Sequence, residues 1–185
     1  MKKFTTLDKN EASSLVFAAE GNDEATKLSD FIITHELGKG VFGKVYLGEL
    51  PSVSTQKYAI KCIRKDRLVE SKAIDSTFTE LQILKNAEHP FLTKLEFFYQ
   101  TEVRFYFVTP FVGGGKLSMV LKDADNKKFF EKQIKFFIVQ LILGLEYLHD
   151  YNIMHRSLKI ENLLLDETGY LKIVYFGQAR IMRHY

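Results

Sequence analysis

Three short runs of strand-forming residues follow one another from Phe31, and a cluster of glycines separates the first two. The runs cover residues 31–37, 44–49 and 57–63. Runs of this length, bounded by turn-forming residues, predict β-strands, and the short connections between them favour antiparallel pairing. This pattern constrains the fold most, because a small sheet of consecutive strands needs another element packed across it.

A helix and a second hairpin follow the third strand. Apolar residues recur near helical spacing between Ser71 and Asn86, and His89-Pro90 ends the pattern. Residues 94–99 and 103–109 predict two further strands, and the glycine run at 113–115 predicts a break between two lobes. The sequence therefore predicts an α+β fold in which one helix crosses the sheet.

The segments on either side of this region differ from it in composition. Residues 1–30 are polar apart from an apolar patch at 15–19, and we expect an extension with at most one weak helical turn. Beyond the glycine run, residues 115–121 predict a short helix and residues 131–150 a long one. Apolar residues surround most of the long helix, so we expect it to be buried on several sides.

Composition and charge argue against several functional classes. The chain is 46% hydrophobic, and its net charge of +3 is scattered without basic runs, so we expect no nucleic-acid partner. The single cysteine, Cys62, fits a reducing, cytoplasmic setting, and no cysteine and histidine cluster has metal-ligand spacing. Since we find neither a signal peptide nor an apolar membrane span, we expect no membrane partner.

The glycines of the stretch LGKGVFGKVYLG are the first candidate for a ligand site. Glycine lets backbone groups approach a phosphate closely, because no β-carbon holds the anion away. The spacing of Gly38, Gly40 and Gly43 alone fits a structural turn as well as a phosphate loop. The motif lies between two strands and ends in a strand at Val45, which argues against a dinucleotide-binding fold, where it opens a helix.

A lysine on the third predicted strand is the second candidate. Lys61 ends the stretch YAIK, and an ammonium that faces inward from an apolar strand needs a carboxylate partner. Glu80, on the predicted helix, is the candidate partner. A strand lysine paired with a helix glutamate positions the α- and β-phosphates of ATP in protein kinases.

With these motifs, the sequence resembles the protein kinase family. Residues Phe31 to Arg180 are similar to the first half of the kinase fold, and the stretches HPFLTKLEFFYQTE, FYFVTPFVGGGKL and GLEYLH are similar to the AGC serine/threonine group. The resemblance implies a polar extension at 1–30 and a complete N-lobe at 31–111, with an antiparallel sheet and the αC helix. It further implies a partial helical C-lobe at 112–185, truncated after the DFG-like motif.

The resemblance also implies an ATP site. Val45, Ala59 and Leu164 match the residues that enclose adenine, and Thr109 matches the gatekeeper before the hinge. Lys116 stands where the family has a ribose-contacting acid, and it offers no acceptor. The implied nucleotide-binding residues are Gly38, Lys39, Gly40, Val41, Phe42, Gly43, Val45, Ala59, Lys61, Glu80, Thr109, Pro110, Val112 and Leu164.

Two carboxylates that the family uses in catalysis are replaced, so no catalytic set is intact. Ser157 stands for the aspartate of the HRD motif, and a serine hydroxyl is no base at neutral pH. Tyr175 stands for the aspartate of the DFG motif, and a phenol is a poor ligand for Mg²⁺, which weakens the expectation of a metal. Asn162, the other metal ligand, and Lys159, which contacts the transferred phosphate, remain.

The apolar framework that the family builds between these groups is retained. The family stacks four side chains through both lobes, and the matching residues are Leu84, Leu95, His155 and Phe176. Each of these residues taken alone is simply a core residue. Taken together, they imply that the apolar scaffold of the family is intact.

Three readings of the function remain open. The chain is a kinase-like domain that binds ATP without transferring phosphate, or a serine/threonine kinase, or a truncated product without a function of its own. A site that keeps Lys61 and Lys159 but loses a carboxylate is more positive than the family's site, so binding of a polyphosphate without Mg²⁺ fits the first reading. The alternative, that the Tyr175 ring fills the phosphate pocket, is equally open. The helix at 131–150 would pack against further helices in the family, so we expect exposed surface there unless another protein covers it.

Overall fold

The computed structural model describes residues 17–19, 26–53, 56–124 and 128–182. These residues form two compact units. The first unit holds the described residues up to Asn86 together with Lys94–Phe111, and the second holds Ala87–Thr93 together with the described residues from Val112 onward.

A six-stranded antiparallel sheet forms the first unit, which confirms the predicted α+β architecture. The strand order is β1-β5-β6-β4-β3-β2. The bounds are β1 Phe17–Ala18, β2 Ile32–Lys39, β3 Gly43–Glu49, β4 Lys57–Arg64, β5 Phe97–Gln100 and β6 Arg104–Pro110. The central strands β3, β4 and β6 pair continuously, so alternate side chains of each point to opposite faces of one surface.

The strand β1 corrects the expectation for the apolar patch at residues 15–19. Phe17 and Ala18 are extended and pair with Phe98 and Phe97, and the amide of Ala19 donates to the carbonyl of Glu96 at 2.8 Å. An edge strand carries unpaired backbone groups that a neighbouring segment can satisfy. The edge of β5 therefore holds these residues in a strand instead of a helical turn, while the rest of the patch lies outside the described residues.

Two helices follow β4, one more than the sequence predicted. Helix α1 spans Lys65–Glu70 and buries only Leu68, and helix α2 spans Ile74–Asn86. The Ser71 hydroxyl donates to the carbonyl of Arg67 at 2.6 Å, and Lys72 has a φ of 54°. This left-handed residue separates the two helices, so the predicted helix at 71–86 begins three residues later than expected.

Each face of the sheet carries its own packing. On one face, seven buried residues form a cluster rich in aromatic rings: Phe31, Leu50, Tyr58, Ile60, Phe97, Tyr99 and Val108. On the opposite face lies α2, whose Phe78 ring packs edge-on against Phe105 with the centroids 5.9 Å apart. The same face carries Lys61, because it alternates with Ile60 along β4.

Among its described residues, the second unit is built on two α-helices and two small two-stranded sheets. Helix α3 spans Leu117–Asp123 and helix α4 spans Glu131–Asp150. One hairpin pairs β8 (Leu163–Leu165) with β9 (Leu171–Ile173), and β7 (Ile153–Met154) pairs with β10 (Arg180–Ile181).

One side of α4 packs on β9 through its small and polar residues. Gln140 Oε1 accepts from the amide of Leu171 at 2.8 Å, and a β-carbon on Gly144 would lie 3.1 Å from the Ile173 side chain. Only Gln140, Gly144 and Leu148 of this helix are buried. The prediction that α4 is buried on several sides is therefore wrong within the described residues. None of the helices that the structure describes has both the length and the apolar character needed to cross a bilayer.

Candidate functional site

The glycine loop joins β2 to β3, and its three glycines have different structural roles. A β-carbon on Gly43 would lie 1.8 Å from the backbone carbonyl oxygen of Cys62 on β4, so the sheet itself requires glycine there. A β-carbon on Gly38 would meet nothing within 4 Å, and one on Gly40 would meet only the Gly43 carbonyl at 3.8 Å. Neither of these two has a positive φ. Neither space nor backbone angle therefore requires glycine at 38 and 40.

The remaining residues of the loop form its tip and its closing turn. The amide of Gly40 donates to the carbonyl of Gly43 at 2.8 Å, which closes the turn. Lys39 and the 88% exposed Val41 face solvent, and Phe42 is half-buried. The side chains of Lys39 and Val41 are thus open to a ligand, whereas the amide of Gly40 is engaged within the turn.

Lys61 and Glu80 form the predicted ion pair within the first unit. Lys61 Nζ lies 2.7 Å from Glu80 Oε1 and 2.8 Å from Oε2, and it lies 5.7 Å from the centre of the Phe107 ring. The Glu80 side chain is 4% exposed and that of Lys61 is 29% exposed. A buried carboxylate is tolerated when a cation satisfies it, so the pair fixes the ammonium on the α2 face of the sheet.

The residues expected around adenine divide between the two units. Val45 pairs with Lys61, and Ala59 pairs with Thr109, so these four neighbours share one face of the central strands. All four are half-buried, as is Pro110 at the end of β6. Val112 and Leu164 belong to the second unit.

Sequence reasoning did not single out Phe107, although it is the cross-strand neighbour of Lys61 in β6. Its position follows from the register between β4 and β6. An alternating apolar strand predicts that such a neighbour exists but does not identify it, because the register is fixed only when the strands pair.

The glycine run at 113–115 packs tightly within the second unit. A β-carbon on Gly114 would lie 2.3 Å from the carbonyl oxygen of Asp166, and Gly115 has a φ of 85°. The amide of Leu165 donates to the carbonyl of Gly115 at 2.9 Å, and Lys116 forms a backbone bridge with Leu164. Besides ending the preceding strand, the glycine run thus packs closely against the β8–β9 hairpin.

The stretch HRSLKIEN forms a loop that its own hydrogen bonds hold in place. Asn162 Nδ2 donates to the backbone carbonyl of Ser157 at 2.8 Å and to its hydroxyl oxygen at 3.1 Å. The amide of Ser157 donates to His155 Nδ1 at 3.3 Å. Arg156 has a φ of 58°, and Lys159 is exposed. Since its amide nitrogen makes both bonds, Asn162 has its carbonyl oxygen left for a cation. Among the described residues, the Ser157 hydroxyl is bonded to the Asn162 amide, which is not a base that could activate it.

His155 and Phe176 pack against each other in the interior of the second unit. Their ring centroids are 5.4 Å apart and the rings meet edge to face. His155 is 4% exposed and Phe176 is fully buried. Burial lowers the pKa of His155, and the backbone carbonyl of Tyr175 opposes this only partly. The imidazole is therefore neutral at pH 7 and serves packing.

Tyr175 folds back over its own loop. A β-carbon on Gly177 would lie 2.7 Å from the Tyr175 hydroxyl oxygen, so the ring covers this glycine. Among the described residues, no group of three or more histidine, cysteine, aspartate or glutamate side chains could hold a metal ion. Mg²⁺ is held by carboxylates together with phosphate oxygens, and Asn162 supplies a single amide oxygen. These donors do not fit Mg²⁺.

A cavity of about 730 Å³ lies on the other side of the glycine loop. Its floor is formed by Tyr46, Ile60, Cys62 and Tyr106, which point away from the α2 face that carries Lys61. This cavity is therefore not the place where a phosphate would meet the ammonium of Lys61.

Comparisons with known proteins identify the family to which the chain belongs. The protein kinase domain family matches residues 31–185. The chain is 44% identical over 155 residues to a probable serine/threonine-protein kinase of Dictyostelium discoideum, covering 83% of this chain and 33% of that protein. It is 38% identical over 185 residues to the serine/threonine-protein kinase akt-2 of Caenorhabditis elegans, covering 97% of this chain and 34% of the relative.

A third relative extends the likeness within the AGC group. A putative protein kinase C delta type homolog of Drosophila melanogaster is 38% identical over 155 residues, which cover 83% of this chain and 23% of that protein. The chain thus spans about a third of the length of the first two relatives and less of the third. Because the family matches most of the sequence, this chain belongs to the protein kinase family and is similar to its AGC serine/threonine members.

Proposed function

We propose that this chain is a kinase-like domain that binds ATP, transfers its γ-phosphate poorly or not at all, and acts in regulation or as a scaffold. The observation that carries the proposal is the contrast between the two units. The first keeps a loop with two glycines that the fold does not need, next to the strands that hold Lys61. The second has lost the two carboxylates on which transfer depends.

The geometry of the first unit supports nucleotide binding. Glu80 holds the Lys61 ammonium on one face of the sheet, so little side-chain entropy is lost when a phosphate approaches. Gly38 and Gly40 leave room for phosphate oxygens beside backbone groups. A kinase phosphate site uses the same combination of a glycine-rich loop and a strand lysine.

The arrangement of the second unit supports impaired transfer. General-base assistance is worth roughly 10² to 10⁴ in rate, and a serine hydroxyl that accepts a bond from Asn162 cannot supply it. Tyr175 covers Gly177 and presents no carboxylate. These losses need not add, because the groups of a catalytic site act as a unit. Even so, against ordinary kinase turnover of about 1 to 100 per second, the remaining activity is expected near the limit of detection.

The loss of the metal carboxylate also affects which form of ATP is bound. Coulomb forces attract a polyphosphate to the Lys61 ammonium, and the family's aspartate that would repel it in the absence of a metal is replaced by Tyr175 in this sequence. We therefore expect ATP to bind without Mg²⁺, and added Mg²⁺ to weaken binding because it competes for the phosphates.

A thermal-shift and calorimetric titration with ATP, in Mg²⁺ and in a chelator, tests the binding proposal. The parent chain is expected to bind in both conditions, and Lys61→Ala is expected to lose at least tenfold in affinity. Lys57→Ala, on the same strand but exposed, is the matched control and should bind as the parent does. Absence of binding in both conditions would remove nucleotide binding from the proposal.

A γ-phosphate transfer assay with radiolabelled ATP tests the second half. We expect no transfer to protein serine or threonine above that of a Lys61→Ala control. Turnover that disappears in the Lys61→Ala variant would replace the proposal with the alternative, a serine/threonine kinase that works without the usual aspartates.

The setting and partners of the domain are part of the same proposal. A single cysteine supports a cytoplasmic location, because Cys62 has no second cysteine with which to form a disulfide within the chain. Exposed apolar residues on α4 support a protein partner for the second unit. Fractionation of the source cells and cross-linking of the intact chain test these two statements.

A further inference from the structure

Lys61 lies in a row of four cross-strand neighbours that runs across the α2 face of the sheet. Val45 on β3 pairs with Lys61 on β4, Lys61 pairs with Phe107 on β6, and Phe107 pairs with Phe98 on β5. Direct cross-strand neighbours stand on the same face with their β-carbons about 5 Å apart, so their side chains interact. One direct neighbour of the lysine is therefore aliphatic and the other is aromatic.

The ammonium of Lys61 lies over the Phe107 ring. Its Nζ is 5.7 Å from the ring centre, within the distance of about 6 Å at which the negative face of an aromatic ring attracts a cation. Phe107 is only 1% exposed, so protein surrounds the ring and water screens the attraction little. The ring attracts the ammonium without carrying a charge, so it does not neutralise the lysine as a second carboxylate would.

Phe107 is itself held in place by a chain of rings that ends on helix α2. Phe98 meets it edge to face with the centroids 5.2 Å apart, and Phe98 stacks on Phe105 at 5.7 Å. Phe105 in turn meets Phe78 of α2 at 5.9 Å. The same helix carries Glu80. One helix therefore fixes both the carboxylate that binds the ammonium and, through the intervening rings, the ring over which the ammonium lies.

Two contacts from different directions restrict a lysine side chain more than one contact does. The stem of Lys61 has several rotatable bonds, and ordering it when a phosphate binds costs conformational entropy. Glu80 holds the ammonium by two hydrogen bonds, and the Phe107 ring attracts it from a second direction. An aliphatic side chain at position 107 would fill similar space without this attraction, because only an aromatic ring has a negative face.

We propose that Phe107 is a positioning residue for the phosphates of ATP and acts through Lys61. Its ring keeps the ammonium on the α2 face of the sheet by a cation–π contact, and the rings behind it hold that contact in place relative to Glu80. This role rests on the proposed nucleotide binding and assigns part of the ATP affinity to an apolar side chain.

Fluorination of the Phe107 ring separates attraction from packing. Site-specific replacement of Phe107 by a mono-, di- and trifluorinated phenylalanine keeps the shape of the ring nearly unchanged, while each fluorine withdraws electron density from its face. Calorimetric titration with ATP in a chelator is expected to show an affinity that falls with each fluorine, by about three- to tenfold for the trifluorinated ring. A residue that only fills space would bind ATP equally well along this series.

Phe97 provides the matched control. It is nearly as buried as Phe107, but it belongs to the aromatic cluster on the opposite face of the sheet. The trifluorinated residue at position 97 is expected to leave the ATP affinity unchanged. The conventional variants Phe107→Leu and Phe97→Leu should divide in the same way, and urea unfolding shows whether each of them is still folded.

Urea unfolding without nucleotide tests the contact between ring and ammonium separately. In a chain that carries Lys61→Met and Glu80→Leu, trifluorination at position 107 should cost less stability than in the parent chain, because the cation is gone. Equal costs would overturn the positioning role, as would an ATP affinity that stays constant along the fluorine series or falls equally with fluorine at 97. A parent chain that binds no ATP would instead overturn the proposed function, and the positioning role with it, even where unfolding shows the contact.

Discussion

Replacing Lys61 by methionine is expected to destabilise the first unit more than replacing Glu80 by leucine, although both changes break the same ion pair. The Glu80 side chain is 4% exposed, whereas that of Lys61 is 29% exposed. In Lys61→Met the carboxylate stays buried without its cation. In Glu80→Leu the ammonium can move outward along its flexible stem and keep contact with water.

The size of the difference follows from these exposures. Leaving a buried charge without its partner costs about 3 to 5 kcal/mol, and the partial exposure of Lys61 places Lys61→Met at the lower end. Glu80→Leu is expected to cost about 1 to 2 kcal/mol, because the two hydrogen bonds between Glu80 and Lys61 are exchanged for bonds to water without leaving a buried charge. The double variant should lie within about 1 kcal/mol of the parent, since buried ion pairs are often replaced by apolar residues at little cost.

Urea unfolding measures these values. The chain has no tryptophan and nine tyrosines, so tyrosine fluorescence and far-UV circular dichroism are the suitable signals. Midpoints are compared where the dependence of the unfolding free energy on urea is unchanged. Equal losses in the two single variants, or a double variant as unstable as Lys61→Met, would refute the reasoning that burial of the carboxylate sets the cost.

Three further predictions concern other parts of the structure. Gly43→Ala should lower the free energy of unfolding by about 3 kcal/mol, because the added β-carbon meets a strand carbonyl. Gly38→Ala should leave the free energy of unfolding within about 0.5 kcal/mol of the parent value and weaken ATP binding instead. Urea unfolding measures the first effect and calorimetric titration with ATP the second. Stability should fall as the pH drops below about 6.5, because burial lowers the pKa of His155 and the unfolded chain binds the proton first; His155→Phe should flatten this dependence in urea unfolding at pH 5 to 7. Restoring carboxylates with Ser157→Asp and Tyr175→Asp together should make ATP bind more tightly with Mg²⁺ than without it, and an unchanged preference would show that other groups control the metal.

The long elements could be predicted from sequence because their signals are local. Helix α4 spans residues 131–150 as expected, because the residues that favour a helix and those that end it lie within one stretch of twenty consecutive residues. Helix α1 was missed because six residues with one buried side chain, Leu68, give no period. Strand β1 was missed for another reason. Two residues form a strand only because the edge of β5 offers them backbone partners.

The candidate site divides in the same way. The contact between Lys61 and Glu80 was predictable, because an inward-facing charge on an apolar strand needs an opposite charge on the element that covers it. The fold of Tyr175 over Gly177 was not, because a tyrosine in this loop could equally have filled the phosphate site. Which rotamer it adopts depends on the space left by its neighbours, and sequence spacing carries no information about that space.

The glycine loop has a consequence for the evolutionary record of such chains. A β-carbon would clash with β4 at Gly43 but would meet no close neighbour at Gly38 or Gly40, so we expect the three positions to differ in the substitutions they tolerate. In a lineage that no longer uses a nucleotide, mutation is free to replace the first two glycines, while the third persists as long as β3 pairs with β4. The presence of all three glycines here accords with the proposed nucleotide binding, and in related chains we expect substitutions at 38 and 40 to accompany a loss of binding, independently of any loss of catalysis.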